Sequence, residues 1–204
     1  MVRTEITVDD KSLQKALGKL QGRADIIIAR AANRSMATAN KAMSQGVRKK
    51  YVAVKDGDVK KALFKQKASA HNPTASLTYT SKHENLYSMG LVSPKRIVKG
   101  NDPKFYKARV MTDHPFKPLK GRPRPFVQRI RNPKKDHVGL FRRRTEDQMT
   151  NYRGKHRRNA IEAVQAPALS QMLKNEEVLD NTQKVAGEAF LKRLEHEIDW
   201  ELRK

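Results

Sequence analysis

The residues able to do acid–base, metal or nucleophilic chemistry are thinly spread. The 204-residue chain has six histidines and no cysteine. His71, His83, His114, His137, His156 and His196 stand singly, none within three to five residues of another. That spacing builds no local zinc site, and without cysteine there is no thiolate site or disulfide. Asp56-Gly57-Asp58 lacks the further spaced acids and the closing Glu of a calcium loop, and reads as a turn with Asp58 capping a short helix. Glu195, Glu197, Asp199 and Glu201 alternate along a segment of helical periodicity, so they are expected to spread around the axis and form no catalytic pair. There is no Gly-rich phosphate loop, no nucleophile elbow, and no Ser or Lys beside an evident base. The expectation is a protein that is not an enzyme and carries no metal or cofactor.

Binding chemistry is abundant by contrast. Lys and Arg number 44 against 21 Asp and Glu, a formal charge of +23. An isolated monomer gains nothing from that self-repulsion, and the simplest reason to keep it is a polyanion or an acidic protein face. The charge is uneven. Residues 120–158 carry 14 basic and 3 acidic side chains, whereas residues 175–204 carry 5 basic and 8 acidic ones. A basic face and a mildly acidic helix on one chain would let copies bind head to tail, as a ring requires, although a charge run is more often a solvated face. The candidate contacts are Arg122, Arg124, Arg129, Arg131, Lys134, Lys135, Arg142, Arg143, Arg144, Arg157 and Arg158. The segment KGRPRP, residues 120–125, resembles the core of an AT-hook: proline extends the backbone and presents Arg122 and Arg124 as a narrow finger suited to a minor groove. It departs from that core in having Lys120 before the glycine, and the plainer reading is a stiff loop entering the strand PFVQRI. The forked donors of Arg142, Arg143 and Arg144 suit phosphates or an acidic protein ring, and the sequence leaves both open. Aromatic residues make up only 6% of the chain, too few to interleave with the basic ones for base stacking. Contacts to nucleic acid would therefore be made to the backbone, without sequence preference.

The elements that must position these residues follow from periodicity. Val2, Thr4, Ile6 and Val8 alternate as a strand, and Asp9 or Asp10 caps a helix bearing Leu13, Leu17 and Leu20. A long helix is predicted over residues 24–50, with the face Ile27, Ile28, Ala31, Ala32, Ser35, Ala39, Ala42, Met43, Gly46, Val47 packed closely because it is small. Arg48, Lys49 and Lys50 suit its C-terminal dipole. A short helix VKKALFK precedes strand-like QKASA and ASLTYTS around an Asn72-Pro73 hairpin connection. Weaker strands are predicted at LYSMGLV, YKARVMT, PFVQRI and HVGLFRR. Helix resumes near Ala166 and runs from about Glu176 to the end with the stripe Ala186, Phe190, Leu194, Ile198, Leu202. The expectation is one α+β domain over residues 1–204, a small antiparallel sheet packed with a long N-terminal and a long C-terminal helix: residues 1–65 mainly helical, 66–145 β-rich and basic, 160–204 helical. The first residues, MVRTEITVDD, lack the apolar run of a signal peptide, and no stretch approaches the roughly 20 apolar residues that cross a bilayer, so a cytoplasmic protein without a membrane partner is expected.

The order of segments resembles the minor tail protein Z family of long-tailed phages, the tail completion proteins. AANRSMATANKAMSQGVRKKY is similar to that family's Ala/Ser/Asn-rich helix with a basic end. VKKALFKQKASAHNPTASLTYTS is similar to its basic helix and Asn-Pro hairpin, RPFVQRIRNPKKDHVGLFRR to its paired strands ending in basic residues, and IEAVQAPALSQML to its lead into the C-terminal helices. The resemblance covers most of residues 25 to 204, apart from the loops around residues 83–124. It implies a structural virion protein at the head-proximal end of the tail, beside the tail terminator and the head–tail connector. It also implies a six-fold ring near the genome end that completes the tail for joining to the head, with no catalytic residues. The alternative is a DNA- or RNA-binding protein without sequence preference.

Overall fold

The computed structural model describes residues 2–4, 18, 20, 23–93, 103–131, 137–144 and 161–203. The fold is α+β, with long N- and C-terminal helices packed together and small antiparallel sheets. The chain gathers into two compact units. One comprises Met1–Lys49, Val54–Ser81 and Leu169–Lys204; the other comprises Lys50–Ala53 and Lys82–Ala168. The segment expected to be helical thus shares its unit with the C-terminal helices, and most of the β-rich segment lies in the other. Among the described residues no helix is long and apolar enough to cross a membrane.

The first unit is organised around helix α1, Ala24–Lys50, which has Asp25 in its first turn. Its partner is the equally long α4, Glu176–Leu202. Ile27 and Ala31 cluster with Phe190, Leu194 and Ile198. At the other end Thr182 lies against Met43, and a Cβ at Gly46 would sit 3.2 Å from Val178 Cγ1. These pairings make the two helices antiparallel, and the small residues predicted on α1 are what permit the close approach. Burial of each large apolar side chain in this seam is worth about 1.5–3 kcal/mol. The stripe on α4 ends at Ile198, since Leu202 is 56% exposed.

The opposite side of α1 holds polar residues that reach the sheet. Asn33 Nδ2 donates to the Ala68 carbonyl and Asn33 Oδ1 accepts from the Ala68 amide, both at 2.9 Å. The hydroxyl of Tyr79, fully buried, donates to Asn40 Oδ1 at 2.9 Å. The sheet contains β1 (Val2–Thr4), β2 (Leu63–Gln66) and β3 (Ser76–Tyr79), all antiparallel in the order β1-β3-β2. A short helix α2, Asp56–Ala62, leads directly into β2. The predicted helix VKKALFK therefore stops at Ala62, and the strand expected at QKASA lies earlier, at Leu63–Gln66. Pairing with β3 outweighs the weak local helix preference of Leu63 to Lys65. Helix α2 also starts before Asp58, whose carboxylate accepts from the Lys55 amide at 3.2 Å. The remaining helix, α3, is a single turn at Leu169–Met172, just beyond the expected start at Ala166. The leucine-bearing helix expected before Gly22 lies mostly outside the described residues.

The second unit is built from short strands. One sheet pairs β4 (Val92–Ser93), β5 (Lys107–Ala108) and β6 (Lys117–Pro118). The other pairs β7 (Phe126–Ile130), β8 (His137–Arg143) and β9 (Ile161–Ala163). LYSMGLV and YKARVMT contribute only two-residue strands; the former turns at Gly90, whose φ of 71° a side chain would resist. Leu86, Leu91, Val92, Tyr106, Leu140 and Ala166 form the core. The buried carboxamide of Asn85 fastens it to β8: Nδ2 donates to the Leu140 carbonyl and Oδ1 accepts from the Leu140 and Tyr87 amides, all at 2.9 Å. Asn85 thus plays the part of a strand residue beside β8. Gly139 makes room for it, since a Cβ there would stand 2.8 Å from Asn85 Nδ2.

Candidate functional site

The basic candidates lie on and around β7 and β8. Val127 pairs with Leu140 and Arg129 with Val138, while Arg142 faces Glu162 across β8 and β9. Alternation puts Val127, Arg129, Val138, Leu140, Arg142 and Glu162 on one face of this sheet. The middle of that face is closed by the core, where Leu140 is fully buried and Val127 packs against the cluster. Arg129 and Arg142 therefore sit at opposite ends, about four residues or roughly 13 Å apart along the strands. Arg131 continues the Arg129 end and Arg144 the Arg142 end, all four exposed. The basic strands form two separate clusters, not one stripe.

Several of these cations have partners within the unit. Glu162 accepts an ion pair from Arg142 and lies 3.6 Å from Arg144 Nε. Together with Gln165 these residues line a shallow polar recess. Arg143 points to the other face and lies 5.8 Å from the centre of the Phe126 ring. Arg124 lies 5.1 Å from the centre of the Phe105 ring, and the chain bends at Arg122 and Pro123. Of the two readings of KGRPRP, the structure has a bent loop entering β7, with one arginine laid on an aromatic face, and not an extended finger. Arg122 is exposed at the bend. Lys134, Lys135, Arg157 and Arg158 lie outside the described residues.

A second cationic group was not anticipated. Glu197 and Glu201 are one helical turn apart on α4 and share a face, with side chains only 4% and 5% exposed. Arg34 pairs with Glu197, Arg23 pairs with Glu201, and Arg30 Nη1 lies 3.7 Å from Glu201 and 4.0 Å from Glu197. Arg30 also lies 5.5 Å from the centre of the Trp200 ring. Of the four acids expected to diverge around the helix, Glu197 and Glu201 therefore converge, while Glu195 and Asp199 are exposed. The i, i+4 spacing of Arg30 and Arg34 and of Glu197 and Glu201 carried the signal. Each carboxylate is held by guanidinium groups, so the cluster serves as a clasp between helices and offers no exposed acid or base.

Other charged contacts are local. Asp56 receives hydrogen bonds from Lys60 and from the Ser44 hydroxyl (both 2.7 Å), which hold its carboxyl below the usual carboxylate range. Asp113 is lowered in the same way, first by His114 at 2.9 Å and then with a contribution from Lys50 at 3.4 Å. Among the described residues no three His, Asp or Glu side chains gather as metal ligands. No protein-family profile, curated protein or solved structure matches this chain.

Proposed function

We propose that the chain is a structural assembly protein of a phage virion, acting at the head-proximal end of the tail as a tail completion or neck protein. The observation that carries this reading is the order of segments: an Ala/Ser/Asn-rich helix, a basic hairpin, paired strands ending in arginines and a long C-terminal helix, on an α+β fold. The division of the basic side chains supports it. Two clusters at opposite ends of β7 and β8, partly engaged by Glu162, Phe126 and Phe105, suit a broad acidic protein surface better than a narrow groove. The partners on this reading are the tail terminator, the head–tail connector and further copies of the chain in a six-fold ring, close to the genome end. No catalytic step, metal or cofactor is invoked. The protein would assemble in the host cytoplasm.

The second reading, binding of DNA or RNA without sequence preference, is favoured by the charge of +23 and by the exposed Arg122 and Arg131. The mass of the purified protein, measured with and without duplex DNA at low and high salt, separates the two. A discrete oligomer that survives high salt and ignores DNA is the expected result. A monomer that coats DNA at low salt and releases it at high salt, as counterion release demands, would transfer the primary function to nucleic acid.

A further inference from the structure

Strand β2 is an edge of its sheet, with β3 its only neighbour among the described residues. The Thr80 amide donates to the Ala62 carbonyl at 2.9 Å. Continued along the register, antiparallel alternation pairs Phe64 with Thr78 and Gln66 with Ser76 through hydrogen bonds. The N–H and C=O of Lys65 consequently point toward the open side. Leu77 and Tyr79 are buried on one face of the sheet. Phe64 occupies the other face and is 67% exposed, the most exposed large apolar side chain of the described chain. Lys60, Lys61, Lys65 and Lys67 flank it in sequence, all exposed, with Lys65 on the opposite face of the strand, and no acidic residue occurs between Asp58 and Glu84.

Lysines on a sheet edge commonly prevent unwanted pairing, and here they repel a second β2 from another copy of the chain. They have the opposite effect on a strand that brings carboxylates. Phe64 stands exposed beside that open backbone edge. We propose that β2 is a docking edge for an extended acidic segment of a partner protein, which joins the sheet as a strand outside β2. Its backbone pairs with Lys65, its carboxylates face Lys65 and Lys67, and an apolar side chain lies beside Phe64. This holds whether the basic strands of the other unit meet protein or nucleic acid.

The test uses a fluorescein-labelled synthetic peptide of about ten residues alternating Glu and Val, a typical strand length or slightly longer, and the full-length chain. Binding should weaken at least tenfold in Phe64→Ser. It should be lost in Lys65→Pro, which removes the outward N–H together with the Lys65 ammonium and is compatible with an edge strand. Circular dichroism should show unchanged helix content in both. The charge reversal K65E/K67E keeps the backbone intact; it should lose the Glu–Val peptide and gain a Lys–Val one. A control peptide with its glutamates gathered at one end should bind at least tenfold more weakly. Equal binding of the two acidic peptides, undiminished binding by Lys65→Pro, or no binding of the alternating peptide would each overturn the proposal. Displacement of the peptide by a single-stranded oligonucleotide whose affinity depends on Phe64 would also overturn it, in favour of a base-stacking site.

Discussion

The two units solve the same problem with opposite means. The first buries continuous stripes of two 27-residue helices and uses polar side chains at the margins, where Asn33, Asn40 and the Arg–Glu clasp join neighbouring elements. The second has strands of two to seven residues and a compact apolar cluster, and it places a polar side chain, Asn85, at the centre of its connections. Helices satisfy their own backbone, so their side chains are left to pack. Strands this short cannot, and a carboxamide completes the ladder. The comparison teaches where each unit should be fragile: the first in its apolar seam, the second in one hydrogen-bonded residue.

The largest expected effect is in the helical seam. Phe190→Ala removes a side chain that is 2% exposed and should cost about 3–5 kcal/mol. Amide exchange should accelerate along residues 24–49 and 176–202 more than at Leu140. Asn85→Ala should do the reverse, costing about 1–3 kcal/mol because the buried Leu140 amide loses its partner, while the Leu140 carbonyl keeps the Val164 amide. Its exchange signature should centre on residues 84–92 and 138–142. Equal acceleration everywhere in both variants would erase the contrast between the units.

A third test bears on the polar margin of the first unit. Burial pushes the Tyr79 hydroxyl up to about 12. The unfolded phenol ionises near 10, so the folded state keeps a proton that the unfolded state releases. The neutral phenol is no disadvantage below about pH 10, and stability falls as pH rises from about 10 to 12, by roughly 2 kcal/mol. The denaturation midpoint of Tyr79→Phe should lack this component of the alkaline slope. The smallest effect belongs to the surface. Arg142→Ala removes an exposed partner of Glu162 and should change stability by less than about 1 kcal/mol, while weakening binding to whichever anionic partner the basic strands meet. A thermal melt paired with the solution-mass measurement reads both.

Much of this architecture was legible because long periodic segments repeat their signal. Ile27, Ala31, Phe190, Leu194 and Ile198 recur at helical spacing over many turns, and all five are buried together. The strands PFVQRI and HVGLFRR were legible for the matching reason, a run of apolar and basic residues that ends in turn residues. The boundary at Ala62 was not, because it depends on pairing with a strand thirteen or more residues away. Asn85 lay beyond local reading too, since its partner Leu140 is 55 residues distant. Glu197 and Glu201 were available at the correct spacing, but reading them with Glu195 and Asp199 as one alternating series hid the pair. The candidate site was legible as a composition and not as a shape. Counting arginines locates a basic segment, whereas only the register shows that Arg129 and Arg142 lie at separate ends of a face closed by Leu140.

The fit of Asn85 against Gly139 has a consequence for how this chain can vary through descent. A methyl group at 139 collides with the carboxamide, and a smaller residue at 85 strands the Leu140 amide. Neither position can drift alone without loss, so the two are expected to change in concert or not at all. A double-mutant cycle over Asn85→Ser and Gly139→Ala should show the signature of such linkage: the pair costs less than the two single changes added together. Descendants of one ancestor would then record the contact as paired variation at sites 54 residues apart, a trace of three-dimensional proximity written in their sequences.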